Sequence, residues 1–361
     1  MILPARSCRK AEHLNVIRIR RCKALNKGLI MNTNASYDSL PHQIKSIHRQ
    51  VDENGILTGK VIVGILDKAR DVAVYELVDA LQLNQAHGVF AQIAAKYQLV
   101  DDLKDITRLG NAIYQHATKY AYLAYLSGYH RVLTGDSARE FFVWNSVPYS
   151  IKGTLTDEPL IIAAESKSYR VNGRLEDWKD AIGNRLIEHD SLLVTLCAAL
   201  QSLLTTWLAL PRVTLGLIGP TSRGKNSVQL AISSMLGKPK VQSASGTVKG
   251  VDAYLREVRD QPALLDELRQ TESTSGLVSL IFDLANGARR ITSTTDGTAR
   301  LTSPHSGSLI ASNEVGLLEM AKSARIRLDE GIVPRYFEIS VDELTGLFNK
   351  LENSSDARNY A

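Results

Sequence analysis

One short segment of the 361-residue sequence combines the residue types that bind phosphate groups. It comprises Gly219, Pro220, Thr221, Ser222, Arg223, Gly224, Lys225, Asn226 and Ser227. The glycines let a loop curl so that successive main-chain N–H groups face an anion, and the lysine reaches the β- and γ-phosphates of a nucleotide. An apolar run, residues 213–218, precedes the loop and an amphipathic run, residues 228–237, follows it. Strand, loop and helix in this order predict a P-loop that binds ATP.

Two acidic residues end another apolar run about 40 residues after the loop. They are Asp266 and Glu267, which follow Pro-Ala-Leu-Leu. A parallel strand that ends beside the loop would bring Asp266 to Mg²⁺ and Glu267 to the water that attacks the γ-phosphate. A plain strand followed by a helix N-cap has the same pattern. The spacing from the loop, with a predicted helix over residues 252–258 between them, favours the metal site.

Two further polar residues stand at the ends of apolar runs. Asn313 closes residues 307–313 and would orient the attacking water or sense the γ-phosphate, the alternative being an ordinary turn asparagine. Arg335 begins the run that continues to Ile339 and would reach the γ-phosphate bound by a neighbouring subunit. Arg325 and Arg327 are rival candidates, and a surface salt bridge is the alternative for all three.

Composition indicates a globular protein with its excess charge at one end. Apolar residues make up 44% and charged residues 22% of a chain long enough for two domains. The net charge is +5, but residues 1–30 carry eight basic side chains against one acid, which leaves −2 for the remainder. This leader is interpreted as an over-extended start or a disordered arm, with a DNA-binding arm and a targeting peptide as alternatives.

The cysteines and one uncharged segment bear on the cellular setting. Cys8, Cys22 and Cys197 have no paired spacing, which argues against a disulfide framework or a zinc site and favours a reducing, cytoplasmic setting. Residues 191–210 contain no charge and would span a bilayer as a helix. Their serine, threonine and glutamine content and the absence of an aromatic belt favour a buried helix, so we expect no membrane partner.

The first half of the chain is predicted from periodicity. Apolar residues recur at helical spacing over residues 67–97, and residues 109–127 are a second candidate helix. The latter carries four tyrosines that would line a core rim or stack on bases, Tyr114, Tyr120, Tyr122 and Tyr125. Short β-rich runs follow at residues 140–144 and 160–164.

Six signatures in a fixed order resemble a known family. They are GRLEDW from Gly173, GLIGPTSRGKNS, LLDE, LIFDLANG from Leu280, IASNE and PRYFEI. The chain is similar over about residues 130–345 to family 927 of the domains of unknown function, helicase-like P-loop ATPase domains of phages and mobile genetic elements. The resemblance implies an AAA+-like core with ATP between the subunits of a ring. It implies that Lys225 contacts phosphate, Asp266 holds Mg²⁺, Glu267 activates water, Asn313 is sensor 1 and Arg335 is the arginine finger.

The same resemblance points to a contact with DNA. A β-hairpin over residues 287–300 would project toward the pore of the ring, where Arg289, Arg290 and Arg300 would follow a DNA backbone. Without the resemblance, the segment is interpreted as a solvated hairpin. The expected partners are therefore single-stranded or forked DNA and further copies of the chain.

Asn226 is a departure from the usual pattern, because Ser or Thr normally follows the P-loop lysine. The Asn carbonyl is an oxygen ligand for Mg²⁺, but its longer side chain would crowd the metal or the β-phosphate. A misplacement that costs about 3–4 kcal/mol would slow hydrolysis by roughly 10²–10³. Ser227 is one position too late to replace the hydroxyl. Two functions remain open: an ATP-hydrolysing motor, and a nucleotide-binding but hydrolysis-deficient scaffold or regulator.

The prediction for the whole chain is an α/β fold. A P-loop NTPase (AAA+-like) core over residues 179–345 follows a mixed α+β N-terminal region over residues 31–178. The leader, residues 1–30, and a C-terminal tail, residues 346–361, flank them.

Overall fold

The computed structural model describes residues 40–341, apart from residues 70, 86, 156, 164–172, 238–240, 288–290, 294–298, 302–304 and 329. For residues 103, 291–293 and 299–301 it describes the backbone. The chain divides into two compact units, Met1–Leu40 and Pro41–Ala361, and every element below belongs to the second. The predicted leader and C-terminal tail lie outside the described residues.

The described residues contain fifteen strands and nine α-helices. The strands are β1 (Ile44–Val51), β2 (Leu57–Asp67), β3 (Val72–Asp79), β4 (Lys119–Ala124), β5 (Gly128–Thr134), β6 (Ser137–Trp144), β7 (Val147–Lys152), β8 (Leu160–Ala163), β9 (Thr214–Ile218), β10 (Gln242–Ser243), β11 (Ala263–Asp266), β12 (Ile291–Ser293), β13 (Ala299–Leu301), β14 (Leu309–Asn313) and β15 (Phe337–Ser340). The helices are α1 (Val89–Lys96), α2 (Ile106–His116), α3 (Leu175–Trp178), α4 (Asn184–Ile187), α5 (Asp190–Ser202), α6 (Lys225–Met235), α7 (Val248–Glu257), α8 (Thr274–Asn286) and α9 (Leu317–Ser323).

The N-terminal part is a mixed sheet with a small meander packed on it. The sheet has the order β3-β2-β1-β4-β8, in which β1, β4 and β8 are parallel and β1, β2 and β3 are antiparallel. Strands β5, β6 and β7 form a separate antiparallel sheet. Phe141 of β6 is fully buried in a cluster with Ala124 of β4 and Ile161 of β8. The expected mixed α+β composition of this part, and its strands near residues 140–144 and 160–164, are confirmed.

Two helix predictions in this part are only half right. Residues 72–79 form strand β3, which pairs with β2 along its whole length. The β-branched and aromatic side chains of this stretch favour a pleated surface, and pairing with β2 overrides the helical spacing of its apolar residues. The C-terminal part of the predicted helix is present as α1, in which Phe90 and Ile93 are buried. The second predicted helix ends at His116, and Tyr120 and Tyr122 lie on β4 instead.

The C-terminal part is a fully parallel sheet between two layers of helices. Its order is β10-β11-β14-β9-β15. Leu264 of β11 and Ile310 of β14 pack on α5 and α6, and the residues beside them in each strand pack on α7, α8 and α9. Such strands, buried on both faces, have nearly continuous apolar sequences, which is why the runs were recognisable. The predicted strands before the loop, at Asp266, at Asn313 and after Arg335 are all confirmed.

The uncharged segment forms helix α5 and a series of turns that continues to residue 209. Leu192 and Leu196 of α5 pack against the parallel sheet, as expected for a buried helix, whereas Val194 and Leu200 on its other side are exposed. Across the described part of the chain, none of the helices has the length and apolar character needed to cross a membrane.

A buried carboxylate joins the meander to the parallel sheet. Asp260 lies just before β11, has no exposed surface and accepts the main-chain N–H of Tyr129 at 2.9 Å. Its other oxygen accepts the hydroxyl of Thr206, and its own N–H donates to Ser306 at 3.1 Å. Gly128 leaves room for this contact, because a Cβ there would lie 2.7 Å from the carboxylate. Burial raises the pKa of Asp260, since removal from water disfavours its charged form.

The predicted hairpin before β14 exists as a backbone pairing. Strands β12 and β13 are antiparallel, with Thr292 opposite Arg300. Arg289 and Arg290 lie outside the described residues.

Candidate functional site

The predicted phosphate loop links the carboxyl end of β9 to the first turn of α6. Ser222 and Gly224 have positive φ angles of 64° and 89°, which turn the loop back on itself. The main-chain N–H groups of residues 221–224 donate to no described acceptor, and residues 221–223 are exposed. Free N–H donors in a curled loop, backed by the positive end of a helix, form a binding place for an anion.

The loop lysine already lies inside this curl. Lys225 is 9% exposed, and its ammonium donates to the carbonyl of Pro220 at 2.8 Å and to that of Gly219. A phosphate that enters the loop therefore meets a cation that is already directed into it.

Asn226 contacts the acid that ends β11. Its side-chain amide donates to Asp266 Oδ2 at 2.9 Å. The hydroxyl of Ser312, on β14, donates to Asp266 Oδ1. Both carboxylate oxygens of Asp266 thus accept a hydrogen bond from a neutral group. The side-chain carbonyl of Asn226 is the third side-chain oxygen of these two residues. Ser227 is exposed, and its hydroxyl makes no hydrogen bond with another described residue.

Glu267 has a strained backbone at the same edge of the sheet. Its φ of 54° is in the left-handed region, which costs a residue with a Cβ roughly 1–3 kcal/mol. Its N–H donates to Ser312 Oγ at 3.4 Å. Strain of this kind is often retained at functional sites, and here it turns the chain sharply after Asp266.

Asn313 is brought to the loop, although its amide faces the protein. The residue is 2% exposed, and its Nδ2 donates to the carbonyl of Val315 at 2.7 Å and contacts Met320 Sδ at 2.8 Å. Its main-chain carbonyl accepts the N–H of Gly219 at 3.3 Å. The predicted γ-phosphate contact therefore requires this side chain to change its partners.

Arg335 lies at the other end of the sheet. Its carbonyl accepts the hydroxyl of Thr214, the first residue of β9, whereas the phosphate loop follows the last. Its guanidinium donates to Asn286 at 2.9 Å and stands 4.7 Å above the ring of Phe282. The sheet separates Arg335 from the phosphate loop. The rivals, Arg325 and Arg327, are exposed.

Several residues at this edge were not identified from the sequence. Gln229 is fully buried on α6 and donates to the carbonyls of Leu265 and Ile310 at 2.9 and 3.0 Å. Glu314 accepts a hydrogen bond from Thr221 of the loop and pairs with Arg269 at 2.7 Å. These two contacts, with the nearby charge of Lys225, hold the pKa of Glu314 below its usual value. Nothing in the local sequence marks such residues, because their partners are distant in the chain.

The described residues contain no group of three or more His, Cys, Asp or Glu side chains that would hold a metal ion. A Mg²⁺ ion bound with a nucleotide needs no such group, since it is often held by one or two carboxylates and the phosphates. The oxygens of Asp266 and Asn226 have the chemistry that this ion prefers.

The family comparison agrees with the resemblance found in the sequence. Residues 136–303 match the model of the family described as Domain of unknown function (DUF927). The match contains the phosphate loop, Asp266 and Glu267, whereas Asn313 and Arg335 lie beyond its end. No curated protein matches the chain.

One solved structure shares the fold of most of the chain. The SCCmec type IV protein Cch, an active helicase, aligns with a TM-score of 0.60 and 17% identity, over 89% of this chain and 57% of Cch. The chain thus spans little more than half of that protein's length. The C-terminal region of NrS-1 aligns with a TM-score of 0.40 and 12% identity, over 88% of this chain and 64% of that one. NtrX from Brucella abortus in complex with ATP aligns with a TM-score of 0.26 and 15% identity, over 42% and 37%.

Proposed function

We propose that the chain is an ATP-binding, helicase-like motor that acts on DNA. One observation carries most of the weight. Three parallel strands, β9, β11 and β14, end at one edge, where Lys225, Asn226, Asp266 and Glu267 lie next to a loop of N–H donors. Strand β14, which ends in Asn313, runs between the strand that leads to the loop and the strand that ends in Asp266. This order supports the P-loop NTPase core of AAA+ type that the sequence predicts.

Each residue at the edge has a task in ATP hydrolysis. The loop N–H groups and Lys225 would bind the phosphates, and Asp266 together with the carbonyl of Asn226 would hold Mg²⁺. The bound ion would neutralise charge that develops on the phosphates. Glu267 accepts a proton from the attacking water, and Asn313 orients that water after it releases Val315 and Met320.

A ring of subunits would give Arg335 a role in the proposed reaction. Because Arg335 lies at the opposite end of the sheet from its own loop, it can serve only a nucleotide bound by a neighbouring copy. The guanidinium is then a finger supplied in trans.

The DNA contact is proposed for the hairpin of β12 and β13. Arg300 lies on this hairpin and Arg289 and Arg290 precede it, so three cations are available for a phosphate backbone. The description of Cch as an active helicase supports this assignment.

The proposal is tested by ATP hydrolysis of the full chain with and without single-stranded DNA. We expect turnover that DNA stimulates and that Lys225→Ala abolishes. Replacing Arg289, Arg290 and Arg300 by Ala should remove the stimulation and leave basal turnover. Absence of nucleotide binding in the wild-type protein would overturn the assignment of the loop.

A second candidate function is a nucleotide-binding scaffold or regulator without turnover. The hydrogen bond from Asn226 to Asp266 favours this function. It occupies the predicted metal ligand Asp266 with an asparagine amide, at a position where the usual P-loop has the hydroxyl of Ser or Thr. Tight binding of ATP with no hydrolysis under any DNA condition would select this function.

A further inference from the structure

The residue after Asn313 connects the phosphate loop to the segment after Glu267. One oxygen of Glu314 accepts the hydroxyl of Thr221 in the loop, and the other pairs with the guanidinium of Arg269 at 2.7 Å. The N–H of Arg269 also donates to Asn313 Oδ1 at 3.4 Å. A single carboxylate thus spans the loop and both of the segments that carry the predicted catalytic residues.

We propose that Thr221, Arg269 and Glu314 form a latch on the phosphate loop, and that a nucleoside triphosphate opens it by taking Arg269 from Glu314. The inference rests on the proposed function. It adds Arg269 to the residues that contact phosphate, and it makes the opening of the latch depend on the bound nucleotide. Arg269 would be a cation supplied by the same subunit, in contrast to Arg335.

Charge explains why a nucleotide would open the latch. Glu314 lies within the electrostatic reach of Lys225, so its carboxylate occupies the same positive field that attracts phosphate groups. A polyphosphate in the loop places more negative charge in that field and repels the carboxylate. Arg269 then gains a stronger anionic partner, because a guanidinium binds phosphate oxygens in a bidentate manner.

The latch is also easy to open. The side chains of Arg269 and Glu314 are 50% and 31% exposed, and exposed ion pairs contribute little to the stability of a fold. Neither residue has to leave a buried position. The nucleotide and Glu314 compete for Arg269, and the third phosphate adds the negative charge that favours the nucleotide. The latch should therefore distinguish a triphosphate from a diphosphate.

The test is equilibrium binding of fluorescent ADP and of a fluorescent, non-hydrolysable ATP analogue to the full chain with Mg²⁺. Glu314→Gln keeps an oxygen acceptor for Thr221 and removes the charge, so it should bind the ATP analogue about two- to fivefold more tightly. Arg269→Ala should lose about tenfold or more in affinity for the ATP analogue and less than about twofold for ADP. Glu319→Gln and Lys322→Ala, exposed residues of α9, are the matched controls.

The double variant separates a phosphate contact from simple neutralisation. If Arg269 only neutralised Glu314, Glu314→Gln combined with Arg269→Ala would restore wild-type affinity, which would overturn the inference. We expect the double variant to remain weak for the ATP analogue. Unchanged affinities in Glu314→Gln and Arg269→Ala, with binding lost in Lys225→Ala, would also overturn the latch and leave the proposed function intact. Loss of nucleotide binding in every protein, wild type included, would overturn both.

Discussion

The side-chain amide of Asn226 donates to Asp266 Oδ2 at 2.9 Å, so the residue after the loop lysine is tied directly to the acid that ends β11. Asn226→Thr would replace the amide by the hydroxyl that the usual P-loop has. We expect this variant to hydrolyse ATP faster, by up to roughly 10²–10³, and to need less Mg²⁺ for half-maximal rate. Steady-state turnover over a Mg²⁺ titration measures both. Ser227→Ala is the control, and equal rates in Asn226→Thr and wild type would mean that Asn226 is an adequate ligand.

Lys225→Ala should weaken ATP binding without unfolding the protein. The lysine donates to two loop carbonyls, and that of the exposed Pro220 can turn to water in its absence. The carbonyl of the buried Gly219 loses a partner at a cost of about 1–3 kcal/mol, which is less than the stability of a typical domain. Calorimetry should show a loss of ATP affinity of about tenfold or more. The increase of Tm that ATP produces in the wild type should disappear with it. An unchanged affinity would remove the lysine from the site.

Mixed assemblies test whether Arg335 acts on a neighbour. Lys225→Ala and Arg335→Ala proteins should each be inactive alone in ATP hydrolysis. A mixture should recover turnover, because some sites then combine an intact loop from one copy with an intact arginine from another. No recovery, together with an active Arg335→Ala protein, would transfer the role to Arg325 or Arg327.

Two buried histidines predict how stability depends on pH. Burial, followed by the charge of Lys119, lowers the pKa of His48 from 6.5 to about 4, and burial followed by Arg259 does the same for His130. The unfolded chain therefore binds these protons first as the pH falls. Their contribution to the free energy of unfolding is complete above pH 6.5 and is lost as the pH falls from 6.5 to 4, by about 1.4 kcal/mol per pH unit for each histidine.

His48→Leu provides the test, because neither ring nitrogen of His48 has a hydrogen-bond partner among the described residues. The free energy of unfolding, measured with denaturant between pH 7 and pH 4.5, should fall less steeply with decreasing pH in this variant than in the wild type. Substitution of the exposed His87 by Leu should leave the slope as in the wild type. Identical slopes for His48→Leu and wild type would contradict the assignment.

Gly216 allows β9 to pack against a buried tyrosine. A Cβ on this glycine would stand 2.8 Å from Cζ of Tyr336 and closer still to its hydroxyl. Gly216→Ala should therefore destabilise the protein by about 1–3 kcal/mol, measured by denaturant unfolding. Adding Tyr336→Phe should recover part of the loss, and a double variant no more stable than Gly216→Ala would show that the hydroxyl is not the obstacle.

The sequence was most informative where a local pattern determines structure. The loop, the apolar strands before Asp266 and Asn313, and helix α6 follow from short-range periodicity and glycine placement. Strand β3 departs from the predicted helix, because its apolar spacing fits both structures and only pairing with β2 decides between them. The hydrogen-bond partners of Asn226, Glu314 and Asp260 come from segments 40 to 131 positions away, so no local pattern encodes them.

The bond between Tyr129 and Asp260 bears on how the protein can be divided for experiments. The predicted boundary at residue 178 falls between these two residues, and a fragment that starts there would keep the carboxylate without its main-chain donor from β5. An acid with no exposed surface then loses a hydrogen bond that helps to offset its removal from water. A truncated ATPase fragment should consequently unfold more readily than the full chain, and Asp260 should be replaced before the fragment is used as a substitute for the whole protein.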